Sequence, residues 1–312
     1  MEKVLIAAVA LFVWSCKTQQ SQVSLAEKLS SDFPKTEQIF SFNNKRDTIL
    51  VTENKTRFII PAYTFCDEKD SICLNNNIEI KIKEFYNLSE MVLNKISTLS
   101  NNQIIETAGM FDVTVSKNKN SLLIQNNPIC IELPSKKKNG FIYFKGEIGA
   151  NGHLNWTETA KIDILKSMKD TAIVAAATTV VLKNKEYNNI IKATELGWIN
   201  CDKFLEFDDT TTLFVSIDND VPKDALCSLV MKNYNSIIPG IMEAGKIKIS
   251  PIPNNEPVTL FVLYHDGDSY YLDMSEFTIS KGGKYELNPI KVTKEELEAK
   301  LSKLNKNRNL PL

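Results

Sequence analysis

The sequence predicts an all-β protein: two antiparallel β-sandwich domains followed by a short C-terminal α-helix. Three observations predict it. Apolar and polar residues alternate with period two in many short segments, as in Ile78-Glu79-Ile80-Lys81-Ile82-Lys83-Glu84-Phe85, which is the signature of half-buried strands. Turn residues punctuate these segments at intervals of about ten residues, the spacing of sandwiches and barrels. Helical windows are few, and the C-terminal end carries a capped helical pattern.

From the N-terminus, Lys3 precedes an unbroken apolar run from Val4 to Trp14. A bilayer span needs about 20 residues, so the run is too short to cross and reads as the core of a signal peptide. It ends Leu11-Phe12-Val13-Trp14-Ser15-Cys16, which resembles the lipobox of bacterial lipoproteins. That resemblance implies a signal peptide over residues 1–15, removed by cleavage before Cys16, with acyl chains carried by the Cys16 thiol and amine. Several acyl chains together anchor stably where one is marginal. Residues 16–36 are rich in Gln and Ser and lack strand alternation, so they are expected to form a flexible tether. Lys17-Thr18-Gln19-Gln20 holds no acid of the kind that routes some Bacteroidetes lipoproteins to the cell surface. A periplasm-facing position at the outer membrane is therefore the expectation.

Residues 37–160 are expected to form the first sandwich, with strands at Thr48–Val51, Phe58–Ile60, Ile78–Phe85, Met110–Val115, Leu122–Ile124, Ile129–Leu133 and Phe141–Phe144. Pro128 and Pro134 confine the Ile129 segment to one short strand. Residues 161–190 lose the alternation and are read as a linker or interdomain segment. Their ten-residue apolar stretch from Ile173 to Leu182 is too short for a membrane span and is expected to lie in the seam. Strand patterns resume over 191–292, the expected second, Ig-like sandwich, at Thr212–Ile217, Leu226–Met231, Lys246–Ile249, Val258–Tyr264, Ser269–Leu272 and Phe277–Ile279. Residues 293–312 give a helix and tail. Thr293-x-x-Glu296 is a capping box, and Leu297, Leu301 and Leu304 share one helical face, suited to docking as a terminal latch.

Several blocks resemble a family. Phe58-Ile59-Ile60-Pro61-Ala62-x-x-Phe65, Ile78-x-Ile80-x-x-Lys83-Glu84-Phe85, Glu106-Thr107-Ala108-Gly109-Met110-Phe111, Phe144-Lys145-Gly146-Glu147 and Gly197-Trp198-Ile199-Asn200-Cys201-Asp202-Lys203-Phe204 look like the blocks of Bacteroidetes lipoproteins of unknown function. The first of these blocks is also similar to the ZU5 β-sandwich of ankyrins and netrin receptors. The resemblance implies fold and location, and no catalytic role.

Composition narrows the function. The 37 Lys plus Arg balance 38 Asp plus Glu, and arginine occurs only at Arg46, Arg57 and Arg308. Reading of phosphates or guanine edges relies on the guanidinium fork, so nucleic acid is not an expected partner. The 43% hydrophobic content supports a sizeable core, which excludes wholesale disorder. An exported chain meets an oxidising compartment in which disulfides persist. With Cys16 lipidated, Cys66, Cys73, Cys130, Cys201 and Cys227 remain, an odd number. Cys66 and Cys73 flank an expected hairpin and are the candidate disulfide; the alternative is two buried thiols.

Motifs for phosphate loops, zinc hydrolases and serine nucleophiles are absent, and there are only two histidines, His153 and His265. No cofactor or metal is expected. Glu106 and Asp112 are the carboxylates considered as an acid and base pair. Asp218-Asn219-Asp220 and Asp266-Gly267-Asp268 resemble fragments of calcium loops, although Asp-Gly is also the ordinary chemistry of a hairpin turn. Trp156, Trp198, Tyr264, Tyr270 and Tyr271 are the aromatics considered for a carbohydrate or peptide site, with Trp198 expected to pack between domains. Together these features predict a non-enzymatic envelope lipoprotein that binds or scaffolds other envelope proteins and meets the membrane through its lipid. The alternative is an envelope hydrolase of glycan or peptide, with a carboxylate site in the interdomain cleft.

Overall fold

The computed structural model describes residues 23–67, 77–125, 127–134, 140–149, 154–159, 189–217, 221–243 and 246–305. The protein is all-β. In the N-terminal half the strands are β1 (Gln38–Phe42), β2 (Thr48–Val51), β3 (Arg57–Ile60), β4 (Phe65–Cys66), β5 (Ile78–Phe85), β6 (Leu99–Ser100) and β7 (Gln103–Lys117). They are followed by β8 (Asn120–Ser121), β9 (Leu123–Ile124), β10 (Ile129–Leu133), β11 (Ile142–Ile148), β12 (Leu154–Glu158), β13 (Asn189–Ala193) and β14 (Gly197–Phe204). One sheet runs β1-β5-β7-β14-β11-β12, and the facing sheet runs β13-β10-β3-β2. Between them lies a core that includes Phe58, Ile60, Ile80, Phe111, Val113, Ile131 and Ile199. The alternation that announces β5 places Ile78, Ile80 and Ile82 in this core, because successive strand residues face opposite sides.

The second sandwich follows with β15 (Thr210–Ile217), β16 (Leu226–Met231), β17 (Ser236–Pro239), β18 (Ile241–Glu243) and β19 (Lys246–Pro253). It is completed by β20 (Pro257–Asp266), β21 (Ser269–Thr278), β22 (Lys284–Leu287) and β23 (Ile290–Val292). A four-stranded sheet, β18-β19-β15-β22, faces a five-stranded sheet, β17-β16-β20-β21-β23. Leu213, Val215, Leu229, Ile249, Leu260 and Val262 fill the space between them. One pairing departs from the antiparallel rule: β22 runs parallel to β15.

Among the described residues, three helices join the two sandwiches: α1 (Leu25–Asp32), α2 (Leu88–Leu93) and α3 (Lys294–Ser302), the last continuing into a 3-10 turn at Lys303–Asn305. Their apolar faces meet the outward face of the larger sheet of the first sandwich, where β6 and β8 also pair with β7, and the outward face of the five-stranded sheet of the second, in a third core. That core gathers Leu25, Leu29, Met91, Leu297 and Leu301 from the helices, Phe85, Met110, Phe144 and Trp156 from the first sandwich, and Val230, Phe261 and Leu272 from the second. The capping box expected at the C-terminal helix forms, with Thr293 Oγ1 accepting from the Glu296 amide and the Glu296 carboxylate accepting from the Thr293 amide.

Two expectations are corrected. Residues 16–36 are not a tether throughout, because α1 occupies 25–32 with Leu25 and Leu29 fully buried. An eight-residue helix is marginal alone; the Ser24–Glu27 capping box starts it and burial in the seam stabilises it. The second correction concerns 191–292. Strand β13 pairs with β10, and β14 lies between β7 and β11, so the chain up to Phe204 belongs to the first sandwich. Period-two alternation marks a strand but does not say which sheet receives it, and the Gly197–Phe204 block therefore read as the opening of the second domain. The segment 161–188, with the Ile173–Leu182 stretch, lies outside the described residues.

Candidate functional site

The seam between the sandwiches is where buried polar chemistry concentrates, and a β-bulge creates it. Along β14, Cys201 pairs with Gly109 but Asp202 pairs with Thr107, so Ala108 is an extra residue in β7. A bulge reverses which face each later residue takes. Ile105 and Met110, five apart, consequently both enter the seam core. The same reversal separates Glu106 from Asp112. Glu106 lies across from Lys203 and Asp112 across from Trp198, and residues 198 and 203 of an unbulged strand point to opposite faces. The two carboxylates considered as an acid and base pair thus sit on opposite sides of the sheet.

On the seam face, Thr107, Asn200 and Asp202 are all fully buried. Thr107 Oγ1 donates to Asn200 Oδ1 at 2.8 Å, and Asn200 Nδ2 donates to Asp202 Oδ2. Asp202 Oδ1 has no hydrogen-bond partner among the described residues. Burial drives the Asp202 carboxyl well above the usual range, the nearby Glu106 charge adds to the rise, and the Thr107 and Asn200 hydrogen bonds only partly oppose it. A neutral carboxyl fits this site. Glu106 itself is held by Lys203 at 3.1 Å.

The second sandwich grips the bulge. Asn235, in the turn between β16 and β17, donates through Nδ2 to the carbonyls of Tyr86 and Thr107 at 3.2 and 3.1 Å, and its own carbonyl accepts from the Thr107 amide at 3.1 Å. A side-chain amide with two donors meets two backbone acceptors that the broken ladder leaves available. Next to it, Thr98 and Ser236 hydroxyls lie 2.7 Å apart, and the Thr98 amide donates to the Ile237 carbonyl at 2.9 Å.

Helix α1 is fastened to the second sandwich at both ends. The Leu25 amide donates to Asp224 at 2.6 Å, His265 Nε2 donates to the Val23 carbonyl at 2.8 Å, and the Tyr270 hydroxyl donates to Asp32 at 2.8 Å. The Tyr270 hydrogen bond is the main cause that holds Asp32 below the ordinary carboxylate range. His265 is therefore a structural clasp.

Among the described residues, two sizeable cavities open along the seam. One, of about 230 Å³, lies between α1 and the end of α2, with Trp198 and Leu154 on its wall. The other, of about 370 Å³, lies between the five-stranded sheet and the end of α3, with Val230, Leu272, Met274 and Leu304 as its apolar lining and Lys300 and Lys303 on the helix side. The first is lined by no Asp, Glu or His; the second holds Asp273 and Glu276, each of which already has a partner.

No family model matches the chain, and no curated protein matches it.

The remaining residues singled out in the sequence fall as follows. Cys16, Cys73, His153 and the Asp218-Asn219-Asp220 run lie outside the described residues. Cys66 is buried on β4 opposite Leu123, while Cys130, Cys201 and Cys227 are buried free thiols. Burial raises all three of those thiols, Cys227 to about 12. Asp266-Gly267-Asp268 forms the β20–β21 hairpin, with Gly267 at positive φ in the first central position, as a type II′ turn requires. Among the described residues no three His, Cys, Asp or Glu side chains gather as a metal site. Tyr264 and Tyr271 stack at 4.9 Å against the second core, Tyr270 secures α1, and Trp156 is fully buried. Trp198 packs against the seam core at the rim of the smaller cavity. The Asn235 clasp went unread in the sequence. A lone Asn among thirty carries no signal until the bulge it serves is known.

Proposed function

We propose that the chain is a cell-envelope lipoprotein, anchored at the outer membrane through acylated Cys16, whose paired sandwiches form a non-enzymatic binding or scaffolding module facing the periplasm. On this reading its first sandwich is the ZU5-like domain of a Bacteroidetes lipoprotein, and its partners are other envelope proteins. The observation that carries the proposal is the shared seam: an apolar core built from both sandwiches and the three described helices, with the Asn235 clasp beside it. Such a seam makes one body that presents fixed surfaces. A hydrolase in the interdomain cleft needs two carboxylates facing one space; here Asp112 and Glu106 face apart, and Asp202 lies fully buried.

The position of α1 also limits the reach of the anchor. From Cys16 to the N-cap Ser24 the chain extends over about 30 Å at most. The body is thus kept near the lipid surface, closer than a tether running to residue 36 would allow.

The anchor is tested by Cys16→Ala, which is expected to release the protein from the membrane fraction and end its labelling by fatty acid. Retention of both would sink the lipoprotein reading. The scaffold is tested by affinity capture of the anchored protein from membranes with mass spectrometry. A reproducible envelope partner is expected, lost when exposed residues of one sandwich are substituted; release of a defined product from envelope glycan or peptide by the purified chain would favour the hydrolase instead.

A further inference from the structure

We propose that the cavity between the five-stranded sheet and α3 is a binding site for an amphipathic monoanion, with an acyl chain lying on the sheet and its carboxylate at the last turn of the helix. The cavity measures about 370 Å³, within the range of small-molecule sites. Its floor continues the seam core: Val230, Leu272 and Leu304 are buried members of that core, and Met274 packs against it. The apolar lining that meets solvent is half-buried Met274 and exposed Ile290, and an apolar ligand covering them would remove their hydration cost.

The charge around the floor leans positive, with Lys232, Lys300 and Lys303 against Asp273 and Glu276. Glu276 is paired with Lys232, and Asp273 accepts from the Asn288 amide at 2.7 Å. Both lining carboxylates are thereby engaged. Lys300 and Lys303 line the opposite side, and among the described residues neither has an acid within ion-pair distance. The carbonyl end of α3 offsets part of this charge, by about half a unit. Three ammonium groups against two carboxylates and about half a negative charge at the helix end leave a small positive excess, concentrated at Lys300 and Lys303, which a ligand carboxylate would meet. Lysine binds such a head group as a point charge, with no demand for bidentate geometry. A cationic amphiphile meets repulsion in the same place, and a neutral one lacks the head-group contact.

The site does not depend on Cys16, so it is testable on the unacylated chain. Titration calorimetry with decanoate on that chain is expected to show saturable binding, with decyltrimethylammonium and decanol binding at least about tenfold more weakly. The double variant Lys300→Ser/Lys303→Ser changes one half-buried and one exposed side chain outside the seam core and is expected to keep its melting temperature while weakening decanoate about tenfold or more. Met274→Glu places a negative charge on the floor and is expected to abolish binding. The proposal is overturned if decanoate shows no saturable binding, if the double variant binds it as the parent does, or if the cationic amphiphile binds equally well.

Discussion

Trp156 and Trp198 meet edge to face, 6.3 Å between ring centroids at 84°, directly over Gly146. Both are cross-strand partners of that glycine, one on β12 and one on β14. A Cβ at residue 146 would lie 2.6 Å from the Trp156 ring and 2.7 Å from Trp198 Cβ. The glycine is required by this close approach, since it is the space above it that lets two large rings enter one seam.

Gly146→Ala is therefore expected to destabilise the fold by about 1–3 kcal/mol, the usual range for overpacking a core. Near-ultraviolet circular dichroism should change as the Trp pair is displaced, and thermal melting should record the loss. An unchanged melting temperature would mean that the seam yields more easily than its packing suggests.

Leu29→Ala tests whether α1 belongs to the folded body. Leu29 is fully buried in the core shared by both sandwiches, so its truncation is expected to cost about 2–5 kcal/mol. Because the core is shared, calorimetry should show one transition moving as a whole. Two separate transitions, with only one of them shifted, would contradict the role given to the seam.

Asp202 makes stability depend on pH with a defined sign. Its folded-state pKa lies well above 3.8, so its contribution is fully present below the unfolded value and is lost as pH rises through the folded one. Between those limits the slope approaches about 1.4 kcal/mol per pH unit for the single proton. Asp202→Asn keeps the neutral shape and removes the titration. Denaturant unfolding from mildly acidic to alkaline pH should show the variant gaining on the parent as pH rises. Parallel curves would exclude a buried neutral carboxyl at this position.

Thiol chemistry gives a separate reading of burial. Cys130, Cys201 and Cys227 are buried and their thiols are raised, so they should resist alkylation in the native chain and react on unfolding. Intact mass after alkylation without reductant, compared with mass after reduction, also decides whether Cys66 is bridged to Cys73. Rapid native labelling at Cys201 would be incompatible with its place in the first core.

The strands were largely legible because a half-buried strand writes its two faces into alternate residues. Ile78–Phe85, Ile129–Leu133 and Leu226–Met231 form as their patterns predict, and so does the capping box at Thr293. Helix α1 was legible only in its start signal, the Ser24-x-x-Glu27 capping box; two leucines four apart are too little to specify a helix without a surface to receive them. The site was legible only in part. Trp198 announced a packing role by its size, whereas Asn235 and Asp202 take their meaning from partners more than ninety residues away in sequence.

The sequence by itself determined the all-β class, many of the longer strands and the capped C-terminal helix, because these follow from local periodicity and turn chemistry. The tertiary structure alone decided that β13 and β14 complete the first sandwich and that α1 enters the seam. It also decided that one inserted residue, Ala108, turns Glu106 and Asp112 to opposite faces. Strand pairing and bulges arise from which distant segments meet, and period-two alternation is the same on either side of that choice.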